Sequence, residues 1–341
     1  MTTTYVFGAG ASFHAKYPLS ASMGEGLLEF MLNYPIGGYR DSANVLIELF
    51  GKKPNVEEMI TALETQIEAL KDGNSQDRAT RSVLAHAHAH IAEMLREWFR
   101  VIHDNPAPLY ATFAKELIKP GDTVITFNYD DSLERELKRV GVWDLSCGYG
   151  FPLGDADSRS EVLLLKLHGS INWIISLFSG VSSGPVFVGA QGSMGGSPVI
   201  HPVDANYLGY PDFTGRTYTG GGTMLSMILP GRSKQFFIDT SLGREFERFW
   251  NNLWQHAANA LTKSDRVLIC GYSMPPADER ACELLLKTPK KDAAITVVCG
   301  PQSQTIADGF RSARFARVEA FAGGYFEQWL NSQTALSSTG G

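Results

Sequence analysis

The sequence predicts an α/β protein built on a parallel sheet covered by helices on both faces. Two observations lead there. Short, almost wholly apolar runs alternate with longer stretches of helical periodicity, the pattern of strands buried on both faces. Four of the apolar runs end in polar or glycine-rich elements: Gly8-Ala-Gly10-Ala-Ser12, Asn128-Tyr-Asp130, His168-Gly-Ser170 and Gly271-Tyr-Ser273. In an open parallel sheet the ligand crevice lies outside the carboxyl ends of the strands, so all four elements are expected to line one crevice.

The first strand is Tyr5-Val-Phe7, stopped by the glycine turn. A helix follows through Met23, Leu27, Leu28 and Met31, with Ser22 and Glu25 spaced as a capping box. Residues 41–119 read as helical. Val56, Met59, Ile60, Leu63, Ile67 and Leu70 recur at helical spacing behind Asn55, and Val83, Leu84, Ala87, Ile91, Met94, Leu95, Trp98 and Val101 do so over a longer stretch. Lys71 to Arg78 between them reads as a polar turn. Pro120-Gly121 breaks the pattern, and Thr123 to Phe127 is a β-branched and aromatic strand. Leu133, Leu137 and Val140 open another helix, and Val162 to Leu165 form a strand that ends at His168.

Residues 174–235 differ in kind. They are rich in glycine, serine and proline, with apolar patches at Val186-Phe-Val188 and Val199-Ile200, and read as an irregular insertion with a few short strands that could cover the crevice. Beyond it, Phe246, Phe249, Trp250, Leu253, Trp254, Ala257 and Leu261 mark an amphipathic helix. Arg266 to Cys270 is a strand, Asp278 to Leu286 a helix, and Ala294 to Cys299 a central strand. Phe310 to Leu330 is expected to hold an edge strand and a closing helix.

At 341 residues, with 44% hydrophobic and 19% charged, the chain is long enough to bury a core without disulfides. Four cysteines with no C-x-x-C pair argue against a disulfide scaffold and a cysteine-built zinc site. Thirty basic residues against thirty-six acidic give a net charge of −6, which argues against a nucleic-acid coat. Met1 to Tyr5 carry no basic leader and no apolar run is long enough for a membrane span, so the expected location is cytoplasmic with no membrane contact.

Each polar element has a chemical and a structural explanation. Gly8-x-Gly10 between a strand and a helix suits either backbone approach to a phosphate or a tightly packed turn. The dinucleotide fingerprint wants a third glycine where Phe13 stands, and the acidic residues at the expected spacing, Glu25 and Glu29, fall in a helix, which disfavours a hydride-transfer dehydrogenase. Asp130 or Asp131 fits a helix N-cap with Glu134 completing a box. Asn128 lies too early for that, and its carboxamide could donate to or accept from a ribose hydroxyl or a water. His168 is either a base near neutral pH or a core histidine on a backbone carbonyl. His86 and His90 share a helix face that His88 does not, and two ligands do not complete a zinc site. Arg232 and Lys234, after Pro230-Gly231, read as a surface loop.

Taken together, Gly8-Ala-Gly-Ala-Ser12, Thr126-Phe-Asn-Tyr-Asp130, Lys166-Leu-His-Gly-Ser170 and Gly271-Tyr-Ser273 resemble, in order and character, the motifs of the sirtuin superfamily. The wording of His168-Gly-Ser-Ile-Asn-Trp173 and Gly271-Tyr-Ser-Met-Pro-Pro-Ala-Asp278 looks more like the divergent bacterial SIR2-like domains than like protein deacetylases. The resemblance implies a Rossmann-like core and an NAD site. Gly8, Ala9, Gly10, Ala11 and Ser12 would then sit at the diphosphate, Asn128 at the nicotinamide ribose, and Asp130 at the nicotinamide carboxamide. His168 would be the catalytic histidine, and Gly271, Tyr272, Ser273 and Asp278 would hold the adenosine side. Residues 171–265 lack the family's zinc-binding cysteines, and Tyr17-Pro-Leu-Ser-Ala21 replaces its Ile-Pro-Asp-Phe-Arg stretch.

On this basis a single SIR2-like domain is expected over 1–335, with a core of about 1–20, 120–173 and 236–335, a helical insertion at about 21–119 and the irregular insertion at about 174–235. The implied activity is hydrolysis of NAD to ADP-ribose and nicotinamide without a metal, with Asn128, His168 and Asp130 catalytic. By resemblance the role is a regulated NAD-depleting effector in antiphage defence, with a homo-oligomer or a separate activator or sensor protein as control. Protein deacylation or ADP-ribosyl transfer would use the same site with Ser179 to Gly222 as a peptide channel. A non-catalytic sensor of NAD or an NAD-derived nucleotide would use the site without turnover.

Overall fold

The computed structural model describes residues 2–144, 148–150, 160–176, 199–202, 223–227, 229, 243–276 and 278–338. From the N-terminus, β1 (Thr3–Phe7) runs into a one-turn helix α1 (Ala9–Ser12). Five helices follow: α2 (Ser20–Asn33), α3 (Gly37–Phe50), α4 (Val56–Ala69), α5 (Ser75–Ile102) and α6 (Pro108–Glu116). Then come β2 (Thr123–Thr126), α7 (Ser132–Arg139), β3 (Leu163–Lys166) and β4 (Gly169–Ser176), with β5 (Val199–Pro202) and β6 (Thr223–Met227) after them. The chain closes with α8 (Gly243–Lys263), β7 (Arg266–Cys270), α9 (Glu279–Lys287), β8 (Ala294–Val298), α10 (Ser303–Ser312), β9 (Arg317–Ala320) and α11 (Phe326–Ser338).

Six strands form one sheet in the order β3-β2-β1-β7-β8-β9, every neighbouring pair parallel. Counted along the sheet's own strands this is the order 3-2-1-4-5-6, a Rossmann-like doubly wound sheet whose direction reverses between β1 and β7. The strands are apolar because both faces are covered: Val6, Phe7, Val124, Ile125, Leu164, Leu165 and Ile269 are fully buried. On one face Phe113 of α6 packs edge-on against Tyr5 and Phe7, at 4.8 and 5.2 Å between ring centres, and Phe326 of α11 joins them 5.5 Å from Phe7. Register places the functional residues. Phe7 pairs with Thr126 and Cys270, and Thr126 pairs with Lys166, so β1, β2, β3 and β7 end level and the residues that follow each emerge along one edge.

Helices α2 to α5 bury a shared apolar core that includes Leu27, Met31, Leu46, Ile60, Leu63, Ile91 and Leu95. Asn55 caps α4 by accepting from the Glu57 and Glu58 N–H groups, as its position before the helical run suggests. β4 leaves the main sheet directly after His168 and forms a second, antiparallel sheet in the order β5-β4-β6. Val199-Ile200 falls in β5. Val186-Phe-Val188, Arg232, Lys234 and Cys147 lie outside the described residues.

Four local expectations are corrected. Ser22 does not cap a helix: α2 begins at Ser20, and the Ser22 hydroxyl donates to the Leu19 carbonyl instead. The polar turn between α4 and α5 ends at Asn74, because the Asn74 and Asp77 side chains form a reciprocal capping box that starts the helix inside the 71–78 stretch. The box around Asp131 and Glu134 does not form, since Glu134 is drawn inward to a lysine. Helix α10 is additional: Phe310 belongs to it rather than to a strand, and it packs on β8 and β9 through Ile306, Ala307 and Phe310. Its apolar positions are few and interrupted by glycine and polar residues, so its periodicity in the sequence is weak.

Candidate active site

A cleft opens at the C-terminal edge of the sheet, at the point between β1 and β7 where the strand order reverses. Of the twelve residues the sequence singled out, Gly8, Ala9, Ser12, Asn128, Asp130, His168, Gly271, Tyr272, Ser273 and Asp278 line it. Gly10 and Ala11 do not line it; they face the turn after β7.

The glycines have a packing reason. Gly271 sits at φ +63°, and a Cβ there would stand 2.3 Å from the Ala11 nitrogen. A Cβ on Gly8 would meet the Gly271 carbonyl oxygen at 2.6 Å, and one on Gly10 would meet the Gly271 Cα at 2.9 Å. The two turns are therefore pressed backbone to backbone. Gly8 N donates to Cys270 O at 3.0 Å, Gly10 N to Gly271 O at 3.0 Å, and Ala11 N to Gly8 O at 2.9 Å. Three N–H groups of the turn are thus engaged within the protein.

Asn128 follows β2 and is half-buried. Its Nδ2 donates to the Gly8 carbonyl and to Ser12 Oγ, both at 2.9 Å. A carbonyl can only accept, so the nitrogen must face Gly8, and both amide hydrogens are used. What Asn128 can offer a ligand is its Oδ1, an acceptor. This narrows the donor-or-acceptor role open to it in the sequence.

Ser12 links the elements. Its hydroxyl donates to Asp130 Oδ2 at 2.7 Å, accepts from Asn128, and lies 2.8 Å from the Tyr110 hydroxyl. Since the serine proton goes to the carboxylate, Tyr110 is the donor in that pair. Asp130 Oδ1 accepts from Ser132 N at 3.1 Å, so the carboxylate spans the start of α7 as a local turn does while its other oxygen binds Ser12.

His168 is buried at the end of the β3 turn, with Phe127 at 5.0 Å and Tyr129 at 6.4 Å between ring centres. Its Nε2 lies 3.1 Å from Asp278 Oδ2. The Tyr272 hydroxyl donates to the same oxygen at 2.8 Å. Burial and the neighbouring Asp278 charge hold the Tyr272 phenol far above its ordinary range, so it stays a donor. The Tyr272 ring stacks on Phe127 at 4.1 Å. Asp278 is thus at the histidine.

Two contributors were missed in the sequence. Lys166, wholly buried, ends β3 and donates to the Tyr129 and Asp130 carbonyls as well as to Glu134 Oε1 at 2.6 Å. Ile171 N and Ser170 Oγ also donate to Tyr129 O, at 2.9 and 3.2 Å, so the Asn128–Asp130 turn is held by its carbonyls. A lysine closing an all-leucine strand was the available signal. Glu57, in the first turn of α4, reaches the cleft from the helical segment between β1 and β2. In sequence it reads only as an acidic residue at a helix start.

Among the described lining residues, three are carboxylates (Glu57, Asp130, Asp278), one is histidine and none is lysine or arginine. Among the described residues no cluster of three or more His, Cys, Asp or Glu side chains is placed to hold a metal ion. His86 and His90 do share a face, 4.2 Å between rings, while His88 turns to Glu64. Among the described residues no helix is long and apolar enough to cross a membrane.

No protein-family model matches the chain, and no curated protein matches it. A solved structure described as the structural basis of sirtuin substrate affinity is similar over 100% of this chain and 94% of its own, at 12% identity and a TM-score of 0.40. The Rossmann-like assignment rests on the strand order and register above.

Proposed function

We propose that this chain hydrolyses the bond between nicotinamide and ribose in NAD, releasing nicotinamide and ADP-ribose. Water attacks the ribose C1′, the carbon–nitrogen bond breaks, and its electron pair passes to the nicotinamide nitrogen, which loses its positive charge. The water gives up one proton. The transition state is oxocarbenium-like, as in glycoside hydrolysis, and the leaving group needs no general acid.

The observation that carries the reading is the union of Asn128 Oδ1 and His168 in one cleft lined by carboxylates at the reversal point of the sheet. An acceptor such as Oδ1 suits a ribose hydroxyl or the attacking water. An imidazole suits removal of a proton from either. Carboxylates, with no side-chain cation among the described lining residues, favour a cationic nicotinamide ring and the positive charge that develops on the ribose. The sequence resemblance assigns the same two residues to this bond. Asp130 would meet the carboxamide, and the Gly8–Ser12 turn would lie toward the diphosphate. The resemblance also motivates the biological proposal: a regulated NAD-depleting effector in antiphage defence, controlled by self-assembly or a partner protein.

The test is incubation of the purified chain with NAD, with and without an acetylated peptide, and chromatography of the products. ADP-ribose and nicotinamide from the wild type but not from Asn128→Ala or His168→Ala is the expected result. Acyl-ADP-ribose formed only with peptide would replace hydrolysis by deacylation. Tight NAD binding without products would make the chain a sensor. Turnover that survives both substitutions would remove the active site from these residues.

A further inference from the structure

We infer that Asp278 is a positioning residue for His168: its carboxylate sets the ring's orientation and its proton location, rather than binding a nucleotide. The catalytic part of this inference rests on the NAD-hydrolysis reading; the positional part does not.

Two observations carry it. Asp278 occupies the N-cap position of α9, where an aspartate ordinarily accepts from the first-turn N–H groups, yet its side chain makes no cap hydrogen bond. A cap of this kind ordinarily stabilises a helix, so a carboxylate that forgoes it is engaged elsewhere. It is diverted to the histidine. Asp278 is buried, with Oδ2 at 3.1 Å from His168 Nε2 and at 2.8 Å from the Tyr272 hydroxyl. An ionised carboxylate only accepts, so any group that hydrogen-bonds to it must donate. Tyr272 does so through its phenol, fixed by its stack on Phe127. His168 turns Nε2 toward the same oxygen at ion-pair distance, and on this inference presents Nε2–H there. In the neutral ring the proton then resides on Nε2, and Nδ1 carries the basic lone pair. A second group that sets the tautomer of a general base is a recurrent requirement of such chemistry, because the wrong tautomer presents a donor where a base is needed.

The experiment is side-chain nitrogen NMR of the 15N-histidine-labelled full chain, run beside NAD turnover. His168 is assigned among the eight histidines by the signal lost in His168→Gln. In the wild type the neutral His168 ring should show the Nε2–H tautomer. Asp278→Asn should weaken or reverse that preference and lower kcat by about 10²-fold or more, the scale of a lost general base, with KM nearly unchanged. Asp278→Glu should restore part of both. A neutral wild-type ring protonated on Nδ1 overturns the inference without any variant, so it stays open to refutation even if Asp278→Asn fails to fold. Wild-type tautomer and kcat in a folded Asp278→Asn also overturn it. A tautomer shift in Asp278→Asn with no nicotinamide release from any form would uphold Asp278 as the positioning residue and defeat the hydrolase reading instead.

Discussion

Lys166 Nζ lies 2.6 Å from Glu134 Oε1, and neither side chain is open to solvent beyond a few per cent. Burial pushes the Glu134 carboxyl up to about 6, while Lys166 pulls the other way. The lysine also reaches the Tyr129 and Asp130 carbonyls, so the pair ties β3 and α7 to the turn that carries Asn128. Lys166→Met should cost about 3–5 kcal/mol, the usual penalty for leaving one member of a buried ion pair alone. Adding Glu134→Gln should recover part of that stability, because the stranded charge is gone. Activity should not recover with it, since the carbonyl clamp is still missing. Urea unfolding of both variants alongside product assays separates the two effects.

Asn128 binds the Gly8 carbonyl and Ser12 at once, joining the ends of β2 and β1. Asn128→Ala should abolish nicotinamide release while costing only about 1–2 kcal/mol, the net worth of two hydrogen bonds. Ser12→Ala should be the more damaging change to stability. It removes the partner of Asp130 Oδ2, Tyr110 and Asn128 together, and leaves buried polar groups without a partner. Thermal denaturation of the two variants should rank Ser12→Ala below Asn128→Ala; the reverse order would show that Ser12 is not the link described.

Two glycines with positive φ make an internal control. Gly51 has φ +79° with open space around a built Cβ, whereas Gly271 has φ +63° with the Ala11 nitrogen 2.3 Å from that position. Gly51→Ala should therefore cost about 1–3 kcal/mol, the penalty of its positive-φ backbone alone. Gly271→Ala should cost clearly more and also reduce turnover, because the turns after β1 and β7 must separate. Equal denaturation midpoints for the two would refute the close packing of these turns.

His14 is wedged between Tyr110 and Phe326, at 4.9 and 6.2 Å, and neither ring nitrogen has a hydrogen-bond partner among the described residues. Burial lowers it to about 4 from an ordinary 6.5. Between those values the unfolded chain binds a proton that the folded chain does not. Stability supplied by neutral His14 is therefore complete above about 6.5 and lost as pH falls toward 4, up to about 3 kcal/mol at 1.36 kcal/mol per unit. Glu134, raised by burial, acts in the opposite direction over much of the same window. The difference between wild type and His14→Phe isolates the histidine. Wild type should lose stability relative to His14→Phe as pH falls from 7 to 4 in a melting series, and a constant difference would contradict the assignment.

Much of the fold is legible in the sequence, and for a physical reason. Strands such as Val124-Ile125 and Leu164-Leu165 are buried on both faces, so they must be apolar throughout, and that is visible without coordinates. The helix around Ile60, Leu63 and Ile67 announces itself because one face meets a core. The placement of Asn128, His168 and Gly271 at strand ends is visible for the same reason: each follows an apolar run. Helix α10 was not legible, because it covers an edge of the sheet with few apolar residues.

Local pattern also misjudges side chains that have two competing partners. Asp278 and Glu134 both look like helix-start residues, and each gives up that local role for a partner distant in sequence: His168, 110 residues earlier, and Lys166, 32 residues later. The sequence by itself determined the parallel α/β class, the order of the elements other than α10 and the residues at the strand ends, because burial and periodicity are short-range constraints. Only the tertiary structure decided which hydrogens those residues have left to give. Asn128 is reduced to an acceptor, the Gly8 turn is committed to Gly271, and Asp278 is assigned to the histidine. Hydrogen-bond capacity is finite, and it is shared among groups that only the folded chain brings within 3 Å of one another.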